Sequence, residues 1–337
     1  MSRAAPRTLV AVLASGLACS GGGVTTTGAA GNTGAAGTTG LAGTNGLAGT
    51  SGLAGTTGGA GTTGVGGSGG SGGARPAACP GAKPDAANTG VPAGTALTVV
   101  NGDVTVSQDG ASVDAQDIHG FLIIQASHVR VTRSIVRGRA TASNAGVIRV
   151  ASGTDVVIED TEIAVASPSA TVDGMWGQNF IARRMNIHGG VDGIKASSGD
   201  TVECSYIHDL ASFASDPNQG GGPTHNDAIQ ILDGTSIRIT GNTLVAAMSQ
   251  NAAIQVTQDF GVVGDLRIAG NWADGGGCTF NFAHKVEASL TVTTADNRFG
   301  RNSFYACPIL KSTKTTLNST GDVWDDDGKP VPVQTHD

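Results

Sequence analysis

From about Gly90 to the C-terminus, the chain alternates apolar and polar residues in short runs closed by Gly, Asn or Asp, and no stretch keeps an amphipathic helical period. The runs recur in groups. One series is Ile124-Gln125, Ile148-Arg149, Met175-Trp176, Ile194-Lys195, Ile229-Gln230, Ile254-Gln255 and Phe280-Asn281, with members 24, 27, 19, 35, 25 and 26 residues apart. Each is followed by a second run, such as Val156-Val157-Ile158 or Ile237-Arg238-Ile239, and then a third, such as Asn186-Ile187 or Thr243-Leu244. Three short strands per repeat predict an all-β, right-handed parallel β-helix over residues 76–337. In such a solenoid each coil stacks its inward side chains on the next at a spacing of about 4.8 Å.

Alternation then assigns faces. With Ile194 and Ile229 inward, the outward ladder on the first strand is Gln125, Arg149, Trp176, Lys195, Gln230, Gln255 and Asn281. A row of small residues, Gly174, Gly193, Ala228, Ala253 and Thr279, is expected to face out beside it. Asn242, Asn271 and Asn297 fall at the bend into the third strand, where stacked amides can form a ladder. The stretch 321–328 breaks the pattern and is expected to cap the last coil.

Composition divides the chain in two. No Asp, Glu, Lys or Arg occurs between Arg7 and Arg75, and glycine recurs every third residue from Gly28 to Gly64. A Gly-x-y period without proline reads as a flexible tether over residues 20–75 more readily than as a collagen-like triple helix. From Arg75 onward 18 basic residues face 27 acidic ones, which argues against a nucleic-acid partner. Arg3 and Arg7 precede the short apolar run Leu9 to Ala18, the form of an export signal over residues 1–19. The run ends Gly16-Leu17-Ala18-Cys19, which resembles a bacterial lipoprotein signal. That resemblance implies lipidation of Cys19 and, with Ser20 next, an outer-membrane destination facing the cell surface or periplasm, the lipid being the only membrane contact. Disulfides are permitted there, and Cys278 with Cys307 is the preferred pair because both open equivalent segments of the repeat. A monomer is expected.

Candidate chemistry gathers just before the first strand. Asp173, Asp192 and Asp227 stand at the same corner of three consecutive coils, and stacked carboxylates share a proton, pair with a base or bind a cation. His188 and His208 occupy equivalent positions on adjacent coils. The longest coil carries a glycine-rich insertion from Phe213 to His225, expected to wall a groove and bring His225 beside Asp227. Residues from Gly90 onward resemble the parallel β-helix group of secreted carbohydrate-active proteins, which includes pectate-lyase-like enzymes, and Asp192-Gly193-Ile194-Lys195 resembles the Asp-Gly-x-x-Lys neighbourhoods of its lyases. The resemblance implies an acidic, uronate-containing polysaccharide as substrate, cleaved by β-elimination. The three aspartates would hold Ca²⁺, Lys195 would act as base and His225 or His208 as acid, with Arg149, Trp176, Gln230, Gln255 and His188 binding substrate. The signature motifs of β-helix polygalacturonases and alginate epimerases are absent. A hydrolase or epimerase using two of the aspartates, and a non-catalytic glycan-binding surface lipoprotein, are the alternatives.

Overall fold

A computed structural model describes residues 79, 82–247, 251–282 and 289–336; Cys19, the export signal and the Gly-x-y tether lie outside the described residues. Residues Ala78–Asp337 form one compact unit. It is the expected right-handed parallel β-helix, with three parallel sheets of ten, ten and nine strands; each of nine coils gives one strand to every sheet, and the last adds a strand to two of them. Sheet 1 runs from Thr98–Asn101 to Val323–Trp324, sheet 2 from Val104–Val106 to Val333–His336, and sheet 3 from Ser112–Asp114 to Thr315–Thr320.

Inward side chains stack coil upon coil. In sheet 1 the register aligns Ile118, Val136, Ile163, Ile187, Ile207, Leu244, Ala273 and Phe299, all buried. Each large member removes from water an aliphatic or aromatic side chain worth about 1.5–3 kcal/mol. The bend from sheet 3 into sheet 1 is made by one left-handed residue per coil, among them Arg184 (φ 51°), Cys204 (φ 52°), Gly241 (φ 67°), Gly270 (φ 64°) and Asp296 (φ 55°). The residue after it closes the turn. Asn242, Asn271 and Asn297 are fully buried there, each Oδ1 accepting a backbone N–H of the preceding coil at 2.9–3.0 Å. Asp322 extends the column by accepting from Asn297 N at 3.0 Å.

Three details differ from the sequence reading. The outward ladder in sheet 2 holds from Arg149 to Asn281, but Arg149 pairs with Ile123, not Gln125. A shift of two residues keeps every side chain on its face, so alternation cannot detect it. The row of small residues turns inward: Ala228, Ala253 and Thr279 are fully buried next to equally buried Ile229, Ile254 and Phe280. A Cβ at Gly193 would stand 2.5 Å from the Ala228 carbonyl oxygen and 2.4 Å from Ile207 Cγ2, so the corner closes against sheet 1 with no room for a side chain. Finally, residues 321–328 continue the solenoid, since Val323–Trp324 pairs with Arg298–Phe299 and Val333–His336 adds the tenth strand of sheet 2.

Candidate functional site

The three aspartates form a ladder of their own. Asp173 Oδ1 accepts from Asp192 N at 3.0 Å, Asp192 Oδ1 from Asp227 N at 2.8 Å, and Asp227 Oδ1 from Ala252 N at 2.9 Å. One oxygen of each carboxyl therefore stitches adjacent coils together, leaving Oδ2 for other partners. Asp173 Oδ2 accepts from Trp176 Nε1 at 2.7 Å and from Lys195 Nζ at 2.5 Å. Lys195 Nζ is also 3.1 Å from Asp192 Oδ2, and Gln230 Nε2 donates to Asp227 Oδ2 at 3.4 Å. The ammonium lies 5.2 Å from the centre of the Trp176 ring, a cation–π contact that fixes both side chains.

The electrostatics follow from burial. Burial first, then the charge of Asp173, raises Asp192 to about 7, with Lys195 opposing. Asp227 is pushed well above the usual carboxylate range by burial and then by Asp192. For Lys195 burial favours the neutral amine, but Asp192 and Asp173 outweigh it and hold the ammonium more firmly than in water. A lysine so held is a poor base near neutral pH, whereas Asp192 is a carboxyl able to carry and deliver a proton there.

These residues open into a cleft of about 570 Å³ on the outer face of sheet 2, lined by Asp173, Trp176, Asp192, Lys195, Gln230 and His225 together with loop residues. A neighbouring hollow of about 430 Å³ shares Gln219, His225, Gln230 and Asp259 with it and continues past Asp227 and Gln255 to Asn281 and Tyr305. The Phe213–His225 insertion does wall this groove. Asp216 caps the short 3₁₀ turn Pro217–Gln219, accepting from Asn218 N at 2.7 Å, and the Asn218 side chain exchanges a reciprocal pair of amide hydrogen bonds, both 3.1 Å, with that of Asn144.

Not every candidate reaches the groove. Arg149 is exposed on the same sheet, one coil before Trp176, and does not line the cleft. His188 and His208 stack as expected, ring centroids 5.3 Å apart, but on the outer face of sheet 1. There His188 meets Glu162 at 3.0 Å, and His208 meets Asn186 at 2.9 Å and Asp209 at 2.7 Å while stacking on Tyr206. Neither lines either hollow, so the acid and substrate-binding roles expected of them have no support in their position. Spacing identified them correctly as coil neighbours, but that sheet faces away from the cleft. Conversely, Asp233, Asp259, Phe260 and Asn144 line the cleft without having been read from the sequence. They come from loops of separate coils, and only Phe260, a large aromatic between Asp259 and Gly261, carried a local hint of a surface role.

A calcium ion does not fit the column as it stands. One oxygen of each aspartate is already engaged by a backbone N–H, and Lys195 Nζ occupies the position between Asp173 and Asp192 that a cation would need. Among the described residues no group of three or more His, Cys, Asp or Glu is arranged to hold a metal ion.

The disulfide expected from the repeat is present: Cys278 and Cys307 are register partners on adjacent coils, with Cα atoms 4.6 Å apart. No protein-family model, curated protein or solved structure matches this chain.

Proposed function

We infer that the chain is a polysaccharide-active protein that lays an extended glycan along the outer groove of sheet 2 and cleaves it by acid–base chemistry at the aspartate column. The observation that carries this reading is the buried Asp192, joined to Asp173 through Lys195 at the floor of the cleft. Asp192 protonates the leaving oxygen as the glycosidic bond breaks, and a water then adds to the sugar and returns a proton to Asp192. Asp173, which accepts three donors, stabilises the positive charge that develops on the sugar, and Trp176 offers the rest of its ring to the substrate. The Oδ2 atoms of both carboxyls meet at Lys195 Nζ, 2.5 and 3.1 Å away, so they stand no more than about 5.6 Å apart, the sum of those distances.

Hydrolysis is favoured over β-elimination because the lysine is held as an ammonium and calcium does not fit. The charge of the groove bears on the substrate as well. Five aspartates, Asp173, Asp192, Asp216, Asp233 and Asp259, line the cleft against one lysine, which favours a neutral glycan over a uronate polymer. Across the strands from Trp176 to Leu310 the groove follows five coil steps, about 24 Å at 4.8 Å each, room for an extended chain of several sugar rings. Export and a lipid anchor at Cys19 would place this activity at the cell surface.

The test is a panel of neutral and uronate polymers, with and without chelator, read for both new reducing ends and the ultraviolet absorbance of unsaturated sugars. Reducing ends from a neutral polymer, insensitive to chelator and without the chromophore, support the reading. Chelator-sensitive chromophore from a uronan would restore the lyase.

A further inference from the structure

Cys79 and Cys204 are the free cysteines of the described residues, both half-buried. Three features bring their sulfurs to one place. Cys204 and Gly241 are the left-handed bend residues of two adjacent coils, as the pairing of Glu203 with Thr240 and the bond from Ser205 N to Asn242 Oδ1 fix. At Gly241 the bend has no side chain, and Cys79 fills the hollow: its Sγ donates to the Gly241 carbonyl at 3.4 Å. A Cβ built on Gly241 would stand 2.9 Å from Cys79 Sγ and 4.0 Å from Cys204 Sγ, so the two sulfurs are no more than about 6.9 Å apart, the sum of those distances. Any larger residue at 241 would occupy the space they share.

We propose that Cys79 and Cys204 are joined by a disulfide in the exported protein, a clasp that fastens the end of the N-terminal tether to the wall of the solenoid. The compartment follows from the signal-like N-terminus; the geometry does not depend on the enzymatic reading. The bond forms by thiol–disulfide exchange with an oxidised dithiol protein of that compartment. One thiolate attacks the oxidant's disulfide to give a mixed disulfide, and the second displaces it. Two protons leave the cysteines, and their two electrons reduce the oxidant to its dithiol.

The location gives the bond a purpose. After residue 79 the chain runs along the coils, with Gly90 N donating to Arg184 O at 2.8 Å, before entering the first strand, Thr98–Asn101. Among the described residues Thr98–Asn101 is an edge strand of sheet 1, paired on one side only. Tension on a surface tether would pull directly on that segment and peel the edge; with the clasp closed, it enters the middle of the solenoid at Cys204.

The experiment takes the full chain, exported into an oxidising compartment, blocks it with a thiol-alkylating reagent without reductant, digests it and maps the peptides by mass spectrometry. The proposal expects a Cys79–Cys204 linked peptide that separates on reduction, with no blocked Cys79 or Cys204 beforehand. Recovery of both residues blocked, or of either linked to another cysteine, overturns it. A second arm measures protease cleavage within residues 82–97, expected to rise several-fold in Cys204→Ser; an unchanged rate overturns the clasp as a mechanical device.

Discussion

Lys195 Nζ sits 2.5 Å from Asp173 Oδ2, on the neighbouring coil, and the lysine that the sequence offers as a base is thereby the counter-ion of the site. Replacing it with methionine keeps the stem over Trp176 but leaves two buried carboxyls without their cation. Removing one partner of such a pair costs about 3 kcal/mol. Lys195→Met is expected to lower the urea midpoint with unchanged m-value. Its raised pKa makes this contribution constant through neutral pH, to be lost only as alkali passes the folded value.

Asp192 gives the opposite sign. Its folded value of about 7 exceeds that of an unfolded aspartate, so between about pH 4 and 7 the folded state holds a proton the unfolded chain has released, and stability falls as pH rises through that window. Asp200, fully buried and raised to about 8 by burial, adds a slope of the same sign. Asp192→Asn keeps an oxygen for Asp227 N and should flatten the slope measured by urea unfolding across this range. An unchanged slope would assign the effect to Asp200 and Asp227 alone.

The reciprocal amides of Asn144 and Asn218 hold the wall of the cleft from two segments 74 residues apart. Both residues are exposed, so Asn218→Ala should leave the melting temperature within about 1 °C while raising KM several-fold with little change in kcat. Faster hydrogen exchange across residues 213–225 would accompany it.

Gly193→Ala tests the corner that positions the column. The new methyl would meet the Ala228 carbonyl and Ile207 Cγ2 inside van der Waals distance, and overpacking of this kind costs about 1–3 kcal/mol. Thermal unfolding should show it, with activity falling as the aspartates shift.

Much of this fold was legible because its determinants are local. Period-two alternation gave the coils and the ladder from Arg149 to Asn281, buried bend asparagines gave the amide column, and equivalent positions gave Cys278 with Cys307. What was not legible depends on the path of the bends. Ile123 replaces Gln125 because a slip of two is silent to alternation. The small residues turn inward because the corner interrupts the alternation. His188 and His208 face away from the cleft, and its further acids, Asp233 and Asp259, come from loops whose approach no spacing records.

As the proposed proton donor of a glycan-cleaving cleft, Asp192 should govern the pH dependence of cleavage. The most direct test is the rate of reducing-end release from a neutral polymer by wild type and Asp192→Asn across pH 5–9. The wild-type rate is expected to fall as pH rises through about 7, with a loss of about 10²-fold or more in the folded variant at pH 6. Equal rates for the two proteins, or a wild-type rate that climbs through the same range, would contradict it.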